Sequence, residues 1–469
     1  MAVRLTLGDL IGVLHPLQEG GEIPTRDPVG AVTTDSREVV PGGLFVALAG
    51  ERVDGADFVA EAIERGAQAA IVSEEGARKI PPGILAGKPV FVVRSPVEAL
   101  GDLAKAHRER LRHVPLVGIT GSSGKTCTKE MLAALLSRSR NVLGNPGNRN
   151  NLIGLPLSLL ALSPEHDAAV LEMGTNLPGE IARLSSIAAP DVAVLTNIGP
   201  AHLEGLGTLE NVAREKGDLY RALPESGTAV VNATDLRVMR EAGRCRATRI
   251  YYGVALSEIS GKVLSMGEEG MRIAVRTPSG GFTSFLPYTG EHNLTNALAA
   301  AAAAYALGLR PEDMEEGFRS LVPLPGRFRP VPLRGGGLLL DDTYNANPAS
   351  VEAALRSLVS LRRGRRCIVV LADMLELGTS SGVSHFRIGH MVAGIRPDLL
   401  FTCGKEAASI ALGAQERGMD PGRVTHVGDR EALRDAVTGA LRKGNVILIK
   451  GSRGMQLDKI AEVVEKEWA

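Results

Sequence analysis

Pro115-Leu116-Val117-Gly118-Ile119-Thr120 runs into Gly121-Ser122-Ser123-Gly124-Lys125-Thr126, and a helical pattern opens at Lys125 and continues to Ser137. An apolar strand, a glycine turn and a helix in that order form the setting in which Gly-Lys-Thr binds phosphate. Gly121, Ser122, Ser123 and Gly124 let the backbone turn N–H groups around phosphate oxygens, and the helix N-terminus adds positive potential. Lys125 then reaches the outer phosphates and Thr126 offers a hydroxyl to Mg²⁺. ATP is the implied ligand. The usual spacing would put glycine at 119, where this chain has Ile119, so the match is to a shorter form. A plain glycine-rich turn before a helix is the competing reading.

Outward from this loop, short valine-, isoleucine- and leucine-rich runs alternate with helical patterns, as in a parallel sheet covered by helices. The fold class is α/β. Strands are expected at Pro115–Thr120, Ala168–Glu172, Asp191–Ile198 and Thr228–Asn232, with helices at Lys125–Ser137 and Leu209–Leu223. Together they make a doubly wound, P-loop-type central domain, residues 94–323. Lys262–Met266, Met271–Arg276 and Phe282–Leu286 alternate around the turn signals Glu268-Glu269-Gly270 and Ser279-Gly280-Gly281, which predicts a small antiparallel appendage.

After Val322-Pro323-Leu324-Pro325-Gly326, a hinge by composition, a second α/β series begins: Gly337–Asp342, Cys367–Ala372, Leu399–Cys403, Val424–Val427 and Val446–Lys450. This is a Rossmann-like C-terminal domain, residues 324–469. Residues 1–93 form a small N-terminal α/β domain with strands near Leu44–Leu48, Ala69–Val72 and Val90–Val93 and a helix at Phe58–Arg65. Three domains agree with a prior of about 150 residues each.

Lys plus Arg and Asp plus Glu both number 53, so no global field marks a binder of nucleic acid or of an anionic membrane. Cys127, Cys245, Cys367 and Cys403 show no metal-binding spacing and are expected to be free thiols. Met1 to Leu14 lacks the pattern of a secretory signal, and no apolar run reaches about 18 residues, so a cytoplasmic protein is expected.

Glu172 and His202 follow apolar strands, and in an open α/β sheet both carboxyl ends point toward the phosphate loop. They are candidate Mg²⁺ ligands beside Thr126, although Mg²⁺ prefers oxygen. Read alone, each is more often a cap or a satisfied polar residue. Lys216, on a charged helix, reads alone as a solvated lysine.

TGSSGKT, Asn148-Arg149-Asn150-Asn151 with Ile153-Gly154, Leu171-Glu172-Met173-Gly174, His202-Leu203-Glu204, Glu291-His292-Asn293-Leu294-Thr295-Asn296 and Pro325-Gly326-Arg327 together resemble the Mur ligase family of peptidoglycan synthesis. The resemblance covers essentially the whole chain. Asp341-Asp342-Thr343-Tyr344-Asn345-Ala346-Asn347-Pro348, Asp373-Met374-Leu375-Glu376-Leu377-Gly378 and Lys450-Gly451-Ser452-Arg453-Gly454 are similar to the branch that adds D-alanyl-D-alanine to UDP-N-acetylmuramoyl-tripeptide. Thr34-Asp35-Ser36-Arg37 and Pro41–Leu48 are similar to that branch's uridine-nucleotide-binding domain. Ala372 stands where the family often has glycine.

The resemblance implies several roles. Lys216 takes the place of a carbamylated lysine that supplies oxygen to Mg²⁺ beside Glu172 and His202, and Lys125, Lys216 and His202 are the catalytic candidates. Asn293, Asn296, Arg327, Asp342 and Tyr344 join the loop in binding ATP. Ser36, Arg37, Asn151, Lys450 and Arg453 are expected to contact substrate, and a monomer is expected. A sibling ligase with another amine, folylpolyglutamate synthetase, or a P-loop ATPase acting as a switch are the alternatives.

Overall fold

The strand that leads into the phosphate loop is Leu116–Thr120, flanked in parallel by Ala168–Glu172 on one side and Val192–Leu195 on the other. The order in which successive strands are added reverses at this strand, with Val142–Gly144 and Ala168–Glu172 on one side and Val192–Leu195 on the other, which opens a crevice at its carboxyl end. Its entry is fixed by buried Arg108, which donates to Ala188 O at 3.0 Å, Leu111 O at 2.7 Å and Val114 O at 2.8 Å and pairs with Asp191 at 3.0 Å. Asp191 Oδ2 in turn accepts the Leu116 N–H.

The computed structural model describes residues 3–20, 23–50, 52–254 and 257–469, so Met1 and Ala2 of the N-terminal stretch lie outside it. Among the described residues there are sheets of five, nine and six strands. The nine-stranded sheet runs in the order Gly280–Leu286, Met271–Thr277, Ile259–Met266, Thr248–Gly253, Thr228–Asn232, Val192–Leu195, Leu116–Thr120, Ala168–Glu172, Val142–Gly144. The three strands expected as an appendage pair antiparallel with one another, as anticipated. They are not a separate body, because Tyr252 pairs with Ile259 in parallel and carries the main sheet straight into the arm. The buried helix Glu291–Ala306 lies across this sheet, where its alanine run lets the backbones approach closely.

The C-terminal sheet runs Arg329–Leu333, Gly337–Asp342, Val446–Lys450, Cys367–Ala372, Leu399–Cys403, Val424–Val427, all parallel except the first. That first strand carries Pro330 and Pro332, which an edge position tolerates because proline has no N–H to give a second neighbour. The N-terminal sheet runs Gln18–Gly20, Val90–Val93, Ala69–Ser73, Leu44–Val46, Val32–Thr33. One face of it, through Leu44, Ile71 and Phe91, shares an apolar core with Leu100 and Leu103 of helix Pro96–Glu109 and with Leu116 and Leu171 of the central sheet.

The segment expected as a helix at Phe58–Arg65 is a 3₁₀ turn, Gly55–Phe58, followed by a short helix, Val59–Glu64. All four cysteines are free and buried. Among the described residues no helix is long and apolar enough to cross a membrane.

Candidate active site

The phosphate loop is held open by its neighbours. Asn197, one residue past the strand Val192–Leu195 and Thr196, accepts Ser123 N–H at 3.0 Å and Ser123 Oγ–H at 3.2 Å through Oδ1, and returns its own amide to Ser123 O at 3.1 Å. Thr196 Oγ1 donates to the same carbonyl at 2.6 Å. The Ser122 N–H goes to Asn197 O, so the donors left for phosphate are the orphan N–H groups of the first helical turn after Gly124. Both glycines are dictated by close approach. A β-carbon at Gly121 would lie 1.9 Å from Thr196 Oγ1, and one at Gly124, where φ is +79°, would lie 2.2 Å from Asn296 Oδ1. Lys125 is half-buried rather than an exposed loop residue, and its Nζ donates to Gly121 O at 2.8 Å.

Glu172 ends its strand with the carboxylate fully engaged. Oε2 accepts the Thr126 hydroxyl at 2.8 Å and Oε1 accepts Asn150 Nδ2 at 2.7 Å. Asn145 clamps the Glu172 backbone by taking its N–H at 2.9 Å and donating to its carbonyl at 3.0 Å. Lys129, also buried, donates to Asn145 O at 2.7 Å. The result is a rigid pair of oxygen donors, Thr126 and Glu172, directly beside the loop.

Lys216 projects from helix Leu209–Arg221 with no exposed surface, and its Nζ has no hydrogen-bond partner among the described residues. Burial, then the charge of Lys125, hold its pKa well below the usual lysine value. His202, in left-handed backbone at φ +55°, presents Nδ1 to Glu376 Oε2 at 2.7 Å. Burial lowers the His202 pKa, and the bond to His202 lowers that of Glu376.

Residues from beyond the proline-rich joint complete the cluster. Arg327 Nη2 donates to Thr126 Oγ1 at 2.9 Å, and the same guanidinium lies 3.6 Å over the Tyr344 ring centroid. Asn347 Nδ2 donates to Ser122 O at 3.2 Å. Asp342 pairs with Lys450 at 2.8 Å and accepts the Phe328 N–H at 3.1 Å; burial raises its pKa while Lys450 pulls the other way.

Models of the Mur ligase middle domain, the Mur ligase glutamate ligase domain and the Mur ligase family catalytic domain match residues 119–304, 326–453 and 28–108. The chain is also 36% identical to the UDP-N-acetylmuramoyl-tripeptide–D-alanyl-D-alanine ligase of Escherichia coli, over 99% of each chain. This chain belongs to the Mur ligase family. The ligase of the same name from Bacillus subtilis is 36% identical over 92% of this chain and 93% of that one. Among solved structures, MurF from Acinetobacter baumannii superposes with a TM-score of 0.87 at 31% identity, covering 99% of both chains. MurF ligase from Thermotoga maritima in complex with ADP gives 0.80 at 33% identity, covering 93% of this chain and 97% of that one.

Within this Mur ligase, the loop residues, Glu172, Arg327, Tyr344 and Asn296 converge on one cluster. Asn293 lies in the first turn of helix Glu291–Ala306, whose N-cap is Gly290; it accepts Asn296 Nδ2 at 3.1 Å and so sets the amide that packs on Gly124. The expected substrate contacts are engaged within their own neighbourhoods. Ser36 donates to Glu61 at 3.0 Å, and Arg37 lies along Asp35, whose pKa it lowers to about 2. Asn151 caps the turn into helix Gly154–Leu159, and Arg453 pairs with Asp458 at 3.3 Å. Asn145, Asn150, Thr196, Asn197 and Glu376 were not anticipated as site residues. Asn145, Thr196 and Asn197 follow strand ends and Asn150 and Glu376 lie within the quoted Asn148–Asn151 and Asp373–Gly378 motifs, but a sequence does not reveal what any of them faces.

Proposed function

We propose that this chain joins D-alanyl-D-alanine to UDP-N-acetylmuramoyl-tripeptide at the expense of ATP, giving the pentapeptide precursor of peptidoglycan, ADP and phosphate. The observation that carries the reading is the bond from Arg327, beyond the joint, to Thr126 of the phosphate loop. That bond ties the two sides of the proline-rich joint together at the loop, which suits a reaction that must hold ATP, a carboxylate and an amine in one place. The ligases of Escherichia coli and Bacillus subtilis, by their names, supply the substrate class, and the complex of the Thermotoga maritima relative with ADP supports the nucleotide.

In this reading the tripeptide carboxylate attacks the γ-phosphorus in line and ADP leaves. The dipeptide amine then attacks the carbonyl carbon of the acyl phosphate, phosphate leaves with the bonding pair, and the nitrogen gives up one proton to the departing phosphate. Lys125 and Arg327 neutralise charge on the transferring group, while Asn197 and Asn296 keep the loop in register.

The donor set fits Mg²⁺. Thr126 and Glu172 offer oxygens 2.8 Å apart, and the orphaned Nζ of Lys216 is a nucleophile whose carbamate, formed with CO₂ and release of a proton, would add two more. Thr126, Glu172, His202 and carbamylated Lys216 would hold the ion, which supplies charge neutralisation at the phosphates. The remaining parts of the reading are units at residues 1–93, 94–323 and 324–469, uridine-nucleotide contacts at Ser36 and Arg37, peptide contacts at Asn151, Lys450 and Arg453, and a cytoplasmic monomer.

Hydroxylamine trapping tests the chemistry. With ATP, Mg²⁺ and the tripeptide nucleotide but no dipeptide, a hydroxamate of the tripeptide should accumulate; its absence alongside steady phosphate release would rule out the acyl phosphate.

A further inference from the structure

Two residues that carry a β-carbon yet adopt left-handed backbone face each other across the joint, His202 at φ +55° and Glu376 at φ +64°. Such conformations persist where surrounding structure imposes them, and they gather at functional sites. The loop that carries Glu376 is anchored on every side. Asp373 Oδ1 accepts the Ala407 N–H at 2.7 Å, Met374 N–H donates to buried His385 Nε2 at 2.9 Å, and Leu375 N–H donates to Ser452 Oγ at 2.8 Å. Across the joint, Glu376 O accepts the Glu204 N–H at 3.0 Å, and a β-carbon at Gly378 would lie 3.4 Å from Glu204 Cα. The loop is therefore fixed to the C-terminal sheet and seated on the turn after His202.

Glu376 Oε2 lies 2.7 Å from His202 Nδ1. An ionised carboxylate only accepts, so Nδ1 must carry the hydrogen, and in the neutral ring Nε2 keeps its lone pair. A carboxylate behind a histidine sets tautomer and ring orientation in this way wherever the other nitrogen has work to do. The two residues are 174 positions apart and lie on opposite sides of the joint, so the bond exists only while the two sheets are docked.

We propose that Glu376 is a positioning residue for ligation: brought in by the C-terminal domain, it locks His202 as the Nδ1–H tautomer and leaves Nε2 free as an acceptor or metal ligand. The histidine thus becomes competent on closure. This rests on the ligase reading of the site.

The test uses the full-length chain labelled with ¹⁵N at its nine histidines, with the His202 signals assigned through His202→Gln. The wild-type ring should be neutral with hydrogen on Nδ1. In Glu376→Ala it should move largely to the Nε2–H tautomer, and kcat for ligation should fall by about 10- to 100-fold with KM for ATP nearly unchanged. Glu376→Gln keeps a carbonyl acceptor and should hold the Nδ1–H form and recover most of the rate. An Nε2–H or doubly protonated His202 in the wild type overturns the proposal, as does a Glu376→Ala chain with unchanged tautomer and rate. A wild-type chain with the expected tautomer that ligates nothing keeps the tautomer assignment and overturns its role in ligation.

Discussion

Replacing Lys216 with methionine should raise stability and abolish function together. The Nζ is fully buried and unpartnered among the described residues, and a buried donor without an acceptor costs about 1–3 kcal/mol. Methionine has similar length and no polar atom, so it removes that cost with little change in volume. For a large domain each kcal/mol moves the unfolding midpoint by about 2–4 °C, so the gain should be roughly 2–12 °C. The pH dependence has a definite sign. Burial depresses the folded pKa, so between that value and about 10.4 the unfolded chain binds the extra proton and wild-type stability rises with pH. Lys216→Met should lose that slope. Scanning calorimetry in CO₂-depleted buffer at several pH values reads both effects, and added bicarbonate should narrow the gap by stabilising the wild type alone. Phosphate release should drop by more than about 100-fold, because even outer-shell partners of a metal site are worth about 10- to 100-fold. A folded Lys216→Met chain that ligates near the wild-type rate would refute the ligand role. One destabilised by several kcal/mol would refute the orphaned-amine reasoning.

Lys125→Ala should keep the fold, since the side chain's bond is to its own loop at Gly121 O, and should lose about 10³-fold in turnover by analogy with losing a main electrostatic stabiliser; circular dichroism and phosphate release check the two halves. Gly124→Ala forces a β-carbon to 2.2 Å from Asn296 Oδ1 in left-handed backbone, a conformation that by itself costs about 1–2 kcal/mol. Its affinity for ADP should fall by roughly tenfold or more in titration calorimetry, and unchanged affinity would contradict the close packing. A chain ending at residue 323 lacks Arg327, Asp342 and Glu376; if it folds, it should bind nucleotide weakly and make no acyl phosphate, whereas full turnover would show that the site is not shared.

Strand positions were most legible where both faces are buried. Ala168–Glu172, Thr228–Asn232, Gly337–Asp342 and Val446–Lys450 fall where the apolar runs place them, because burial on both faces demands continuous hydrophobicity. Arg329–Leu333 escaped notice because Pro330 and Pro332 read as breakers, and only its place at a sheet edge makes them tolerable. Val32–Thr33 and Gln18–Gly20 are too short to show a period. In the site, the glycine turn between strand Leu116–Thr120 and helix Lys125–Leu136 was evident from local order alone. The partners of Glu172 and His202 were not, since Asn150 and Glu376 reach them only through tertiary approach, in the second case over 174 positions. Lys216 shows the limit most clearly. Its helix is charged around it, Arg214 and Glu215 before and Asp218 after, and nothing in that pattern marks it as the residue turned fully inward.

The most direct test of the whole account is phosphate release from ATP and Mg²⁺ across a panel of UDP-muramoyl peptides, each with and without D-alanyl-D-alanine. Sustained release should require the tripeptide nucleotide and the dipeptide together, with one phosphate per pentapeptide formed. Release that proceeds equally well without the dipeptide, or with a free amino acid in its place, would contradict it.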